Sequence, residues 1–106
     1  MQAIAWKETN DDPGVKYRIQ INDIPPRSVK KVQHNMKDWS QAGSGYRTTN
    51  KKEVFLYVKT FDSVAAWRTW AKKFPYKLQE VDENGKAKKI KLGIEYQNKN
   101  KKKKVA

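Results

Sequence analysis

The sequence contains no cysteine, which excludes disulfide bonds, thiolate zinc sites and cysteine nucleophiles. Histidine occurs once, as His34, so neither a multi-histidine metal site nor a catalytic triad is indicated. No apolar run approaches the roughly 18 residues that span a bilayer. The first residues also lack a basic segment followed by an apolar one, so we expect no secretory signal and a cytoplasmic location.

Acidic residues are scarce relative to basic ones. The chain of 106 residues has 24 Lys and Arg against 11 Asp and Glu, a formal net charge of +13. Such a surplus repels itself and attracts polyanions, whereas solubility requires only about 2–8 charges on a small domain. Nucleic acid is the partner we expect; an acidic protein, a membrane surface or solubility alone are the alternatives.

Aromatic side chains supply much of the apolar material. Four Trp, five Tyr and three Phe accompany a hydrophobic fraction of 37%, and each ring can bury roughly 150–250 Å². This composition predicts a single basic domain over 1–97 with one modest core. The segment 98–106 is predicted to be a flexible lysine-rich tail, whose lysines also resemble a nuclear-localisation patch.

Two hairpins are predicted from alternation and turn residues. Residues 2–8 and 15–22 alternate around the turn residues at 10–14, with Val15, Tyr17, Ile19 and Ile21 expected on one face. Residues 76–81 and 88–96 flank a second turn that contains Asn-Gly at 84–85. Ile90, Leu92, Ile94 and Tyr96 mark the expected buried face of that hairpin.

Helical spacing predicts two helices. The first, over 29–40, follows a proline pair and places Val29, Val32, Met36 and Trp39 on a narrow stripe. The second, over 63–73, begins at a capping Asp62 or Ser63 and ends before Pro75.

Between the two helices, the sequence predicts a loop and then a strand. Residues 41–52 are rich in glycine and serine without periodicity, which favours a mobile loop. Residues 53–61 are apolar on both faces, which predicts a central strand. The order β-β-α-β-α-β-β predicts an α+β fold: a two-layer sandwich of about five strands with both helices packed on one face of the sheet.

Catalytic and cofactor chemistry is not indicated. The paired carboxylates Asp11–Asp12 and Asp82–Glu83 fall in predicted turns, where carboxylates usually bind the backbone. The glycine-rich stretch at 43–45 lacks the lysine and hydroxyl residue of a phosphate-binding loop. We therefore expect a binding protein, with no cofactor and no metal, rather than an enzyme.

The face of the sheet that the helices leave open is the predicted binding surface. If the helices cover Val54, Leu56 and Val58, then Phe55 and Tyr57 point outward among cations. Such rings stack on the bases of single-stranded nucleic acid while the cations contact phosphates. The loop at 41–52 and the tail would add phosphate contacts. The predicted nucleic-acid-binding residues are Lys16, Arg18, Arg47, Lys51, Lys52, Phe55, Tyr57, Lys59, Lys89, Lys91, Lys101, Lys102, Lys103 and Lys104.

The predicted function is a small accessory protein that binds single-stranded DNA or RNA with little sequence specificity. The alternative is a protein-interaction module, an adaptor or inhibitor that docks on an acidic protein partner. In that case aromatic residues outside the core would form an anchor patch with a lysine rim.

Overall fold

A single five-stranded sheet forms the centre of the computed structural model, which describes residues 1–11, 14–47 and 51–94. The strands are β1 (Gln2–Asp11), β2 (Gly14–Ile24), β3 (Ser40–Arg47), β4 (Lys52–Phe61) and β5 (Lys77–Glu80). The helices are α1 (Val29–Asn35), which follows a 3-10 turn at Pro26–Ser28, and α2 (Val64–Lys72).

The strands lie in the order β3-β4-β2-β1-β5. All neighbouring strands are antiparallel except β5, which runs parallel to β1. The mixed α+β class is confirmed. The predicted element order is wrong, because a strand precedes β4 where a loop was expected and no regular strand follows β5 in the described residues.

The first hairpin forms as its alternation predicts. β1 and β2 pair antiparallel, with Ala5 opposite Ile19 and Trp6 opposite Arg18. Tyr17, Ile19 and Ile21 are buried, while Lys16 and Arg18 on the other face are only half-buried. Apolar alternation in β2 therefore identified the core face correctly.

The segment predicted as a mobile loop over 41–52 is mostly strand β3, which pairs along β4. Its glycines obscure any alternation, but an edge strand needs only main-chain hydrogen bonds on one side. A Cβ at Gly43 or Gly45 would lie 3.9 Å from the Cβ of Leu56 or Val54, an ordinary contact. The prediction failed because the pattern of side chains along the sequence does not show which segments pair through main-chain hydrogen bonds.

The second predicted hairpin is only partly regular. β5 is four residues long, and the segment 87–93 returns beside it through isolated bridges, which pair Val81 with Ala87 and Leu78 with Leu92. The turn between them is held by Asp82, whose Oδ1 accepts from the amides of Asn84 and Lys86 at 2.9 Å each.

The predicted buried face of this second hairpin is realised only at Leu92. Leu92 is completely buried, whereas Ile90 is half-buried and Ile94 is 36% exposed. The predicted fourth member, Tyr96, lies outside the described residues.

The two helices begin where predicted, but α1 is shorter than its apolar stripe. α1 ends at Asn35, although Met36 and Trp39 are buried as the stripe requires. Trp39 reaches the core from a turn, because β3 already begins at Ser40. Ser63 caps α2 from the position before Val64, and its Oγ accepts from the amide of Ala66 at 3.1 Å.

One aromatic core lies between the sheet and the helix layer. Trp67 of α2 stacks on Tyr17 of β2 with ring centroids 4.4 Å apart, and Trp39 and Phe61 pack edge-on against it. Val32 of α1 and Ala71 of α2 belong to the same buried cluster. Both helices therefore contribute to a core on one face of the sheet.

None of the described helices is long and apolar enough to cross a membrane. The predicted boundary at 97/98 and the lysine-rich tail lie outside the described residues, so both stay predictions.

Candidate functional site

The sheet face that points away from the core defines the candidate site and is called the open face here. Strand register assigns alternate residues to this face, and none of them is buried by the described part of the chain. The open face includes Gln2, Ile4, Trp6, Lys16, Arg18, Gln20, Asn22, Gly43, Gly45, Val54, Leu56, Val58, Lys77 and Gln79.

Among the described residues, strand register places the aromatic side chain of Trp6 on the open face. It is half-buried on β1, directly opposite Arg18 of β2, and no ring contact joins it to the aromatic core that the structure describes. Arg18 Nε lies 2.7 Å from Glu8 Oε2, an ion pair with both side chains about one-third exposed. Arg18 thus brings a planar cation to the strand position opposite the indole, and a guanidinium can join an aromatic stack.

The middle of the open face is polar, although apolar residues lie on both sides of it. Gln20 Nε2 donates to Asn22 Oδ1 at 2.8 Å on β2. Ile4 lies opposite Gln20 on the neighbouring strand β1, and Leu56 lies opposite Gln20 on β4. Amide groups between apolar strips can hydrogen-bond to base edges or to an extended peptide backbone.

Exposed lysines lie at the β5 side of the open face. Lys77 is exposed on β5, and Lys89 and Lys91 are exposed on the returning segment. Gln79 fixes this segment, because its Nε2 donates to the carbonyls of Lys88 at 2.7 Å and Glu80 at 2.8 Å. A shallow depression here is lined by Gln79, Lys89 and Lys91 among others. Three unburied cations thus flank the face that carries Trp6.

Phe55 and Tyr57 do not lie on the open face, so the prediction that their rings point outward is wrong. They are 4% and 3% exposed, in the core, with their rings 6.1 Å apart edge-to-face. Burial also raises the pKa of the Tyr57 hydroxyl above its usual value. The helix layer covers the odd-numbered side of β4, which leaves Val54, Leu56 and Val58 outward.

The apolar pattern of β4 could not determine which side is covered. Both of its faces are apolar, so the choice of core face depended on the register with β2. Ile19 of β2 lies opposite Tyr57, which places Tyr57 on the side that α2 covers.

The other predicted cations are divided between surfaces. Lys16 lies on the open face opposite Thr60. Lys59 has the parity of the core face and lies at its rim, where its Nζ donates to the Asp38 carbonyl at 3.4 Å and lies 5.6 Å from the Phe61 ring centroid. Lys51 is exposed in the β3–β4 turn, and Lys52 begins β4.

The side chains of the remaining predicted site residues lie outside the described part of the structure. Arg47 ends β3, but its side chain lies outside the described part of the structure. Lys101 to Lys104 lie wholly outside it.

Sequence reasoning missed two features, Trp6 and Glu80. Trp6 alternates with Ala3 and Ala5 along β1, so it lies on the same face as Gln2 and Ile4. Ala3 and Ala5 are the buried residues of β1, but two alanines do not identify a buried face from the sequence. Glu80 is completely buried on β5, where its Oε1 accepts from Trp67 Nε1 at 2.8 Å and its Oε2 pairs with Lys88 Nζ at 2.9 Å.

The charge on Glu80 extends its effect to Tyr17. Burial, reinforced by the Glu80 carboxylate and opposed by Arg68, raises the pKa of Tyr17 to about 12. The Glu80 carboxylate is thus bound by Trp67 and Lys88, and it joins α2 to β5 and the returning segment.

No group of three or more His, Cys, Asp or Glu in the described ranges could hold a metal ion. Comparison of the chain with protein-family models, curated protein sequences and solved structures finds no match in any of the three.

Proposed function

We propose that the protein binds single-stranded nucleic acid on the open face, with Trp6 as the stacking ring. The observation that carries the proposal is the position of Trp6, outside the aromatic core and directly opposite Arg18 on the sheet face that no described helix covers. A net charge of +13 makes a polyanion the favoured partner.

Each part of the open face contributes a different interaction. A base stacked on an indole contributes roughly 1–3 kcal/mol without regard to sequence. Lys77, Lys89 and Lys91 are positioned to follow the phosphates at the β5 side, while Gln20 and Asn22 offer donors and acceptors to base edges. An open sheet face admits splayed bases but fits poorly into a duplex groove, so we expect single strands to bind more tightly.

The test measures fluorescence-anisotropy binding of labelled 20-mer oligo(dT), oligo(U) and a mixed-sequence duplex over a series of salt concentrations. The variant K77Q/K89Q/K91Q removes three charges from the β5 side of the open face. The variant K30Q/K31Q/K37Q removes three charges from the exposed surface around α1, so both variants have the same net charge. We expect the first to bind at least about tenfold more weakly than the second at equal salt.

Trp6→Leu tests stacking separately, because leucine keeps the site apolar without an aromatic ring. We expect a loss of about 1–3 kcal/mol in single-strand affinity and an unchanged salt slope, since no phosphate contact is removed. Equal loss in the two triple variants, with Trp6→Leu unchanged, would assign the binding to diffuse charge and overturn the proposal. Far-ultraviolet circular dichroism checks that each variant is folded.

A second candidate function is protein binding on the same face. Val54, Leu56 and Val58 are half-buried aliphatic residues on the open face of β4, and nucleic acid makes little use of such side chains. An acidic protein that covers this strip would use the surrounding cations as a rim. Absence of oligonucleotide binding at low salt, in a folded protein, would favour this candidate.

A further inference from the structure

The two edges of the sheet are treated differently by the rest of the chain. The segment 87–93 lies beside the β5 edge. It forms bridges with Leu78 and Val81, and Gln79 donates a hydrogen bond to it. The outer edge of β3 has no pairing partner among the described residues, because β3 pairs only with β4. Alternate amides and carbonyls of an edge strand point outward and can pair with another strand.

Over residues 40–46, the β3 edge also lacks the charged side chains and prolines that commonly protect an edge strand. Residues 39–46 form the longest stretch of the chain without Asp, Glu, Lys or Arg, although 33% of all residues are charged. Neither lysine nor proline, the common protective residues, occurs there. An irregular register between Gln41 and Gly43 interrupts the strand at one point, and pairing with β4 is regular from Gly43 to Arg47.

Glycine makes the approach to this edge sterically open. Gly43 and Gly45 lie on the open face next to Leu56 and Val54, so no β3 side chain rises above the sheet at those two positions. Glycine within a strand often marks the place where another backbone comes close.

We propose that β3 pairs antiparallel with β3 of a second copy of this chain, across a twofold axis, to form a continuous ten-stranded sheet. The distribution of charge in the chain favours a second copy at this edge over an acidic peptide. Two chains of +13 repel each other over most of their surfaces, and the uncharged stretch 39–46 is where their backbones can meet with the least repulsion. An edge adapted to an acidic peptide would instead carry cations along its length.

The dimer has a salt dependence opposite in sign to nucleic-acid binding. Salt screens the repulsion between the two basic copies, so self-association strengthens as salt rises. Nucleic-acid affinity falls as salt rises because counterions are released on binding. A failure to dimerise can therefore be distinguished from a failure to bind nucleic acid.

The test is sedimentation velocity of the nuclease-treated full chain from micromolar to several hundred micromolar concentration, at low salt and at high salt. Q41K/S44K adds two lysines at exposed positions of β3, and the control Q33K/A65K adds two lysines at exposed positions of α1 and α2. We expect wild type and the control to dimerise. We expect Q41K/S44K to raise the dimer dissociation constant by about tenfold or more, because four added lysines would then lie along the two paired β3 strands.

Three results would overturn the proposal. The first is a wild-type protein that is monomeric throughout the concentration range at high salt. The second is a dimer that both lysine variants weaken equally, which would indicate general repulsion. The third is a dimer that Q41K/S44K leaves unchanged, which would place the interface away from β3.

Discussion

Glu80 shows how one buried carboxylate connects three parts of the fold. It lies on β5, accepts from Trp67 of α2 and pairs with Lys88 of the returning segment. Its side chain is 1% exposed, whereas that of Lys88 is 38% exposed. Replacing Glu80 with a neutral residue removes a charge from the core. Replacing Lys88 leaves the Glu80 carboxylate buried without its partner, which costs more free energy of folding.

Lys88→Met should therefore destabilise the protein more than Glu80→Gln. We expect a loss of about 2 kcal/mol in the free energy of unfolding for Lys88→Met, reduced from a fully buried pair because Lys88 is partly solvated. Glu80→Gln keeps an oxygen that can accept from Trp67 and should cost about 1 kcal/mol or less. Urea denaturation at neutral pH measures both.

The double variant Glu80→Gln/Lys88→Met serves as the control for this pair. It should be more stable than Lys88→Met alone, because no charge then remains in the core. Equal losses in Lys88→Met and the double variant would show that Lys88 acts through its alkyl chain rather than through its charge.

At the scale of the element, the segment 87–93 depends on a glycine where it meets β5. Gly93 has φ +60°, and a Cβ there would collide with the Tyr76 carbonyl oxygen and lie 3.2 Å from that of Phe74. Gly85 has φ +81° in the turn near Asp82, but a Cβ there would meet open space. The two glycines share an unfavourable backbone conformation for other residues and differ in steric surroundings.

Gly93→Ala should accordingly be the more damaging of two matched substitutions. We expect about 1 kcal/mol of destabilisation for Gly85→Ala, from the positive φ alone. We expect roughly 3 kcal/mol for Gly93→Ala, where the collision is added. Thermal unfolding compares them, and hydrogen exchange should show early opening at 87–93 in Gly93→Ala. Similar losses for both would mean that the backbone near Tyr76 yields without cost.

Elements with strong periodicity were predictable from the sequence, and elements held by the backbone were not. The alternation of Tyr17, Ile19 and Ile21 identified the β1–β2 hairpin, and Ser63 before the helix with Pro75 after it identified α2. β3 was missed because Gly43 and Gly45 carry no apolar signal. The candidate site was predicted only as an open sheet face with cations, since the two apolar faces of β4 gave no means of choosing the buried one.

At the scale of the whole molecule, positive charge is spread over most of the described surface, with the β3 edge as an exception. Exposed lysines occur on α1, in the β3–β4 turn, on β5 and along the returning segment. Arg18 pairs with Glu8 and Lys88 with Glu80 at less than 3 Å, but the chain has 24 Lys and Arg against only 11 Asp and Glu. Most of the positive charge is therefore balanced by solvent ions, and folding brings it together at a cost in repulsion.

Added salt should therefore stabilise the folded protein. Raising NaCl from about 0.01 M to about 0.3 M shortens the Debye length from roughly 30 Å to below 8 Å, and we expect the free energy of unfolding to rise by on the order of 1 kcal/mol. K30Q/K31Q/K37Q, with three fewer charges on exposed positions around α1, should show a smaller rise. Urea denaturation at fixed pH and low protein concentration, below that needed for dimerisation, isolates this effect. A fall in stability with salt would mean that the ion pairs of Glu8 and Glu80 outweigh the repulsion, because screening weakens attraction and repulsion alike.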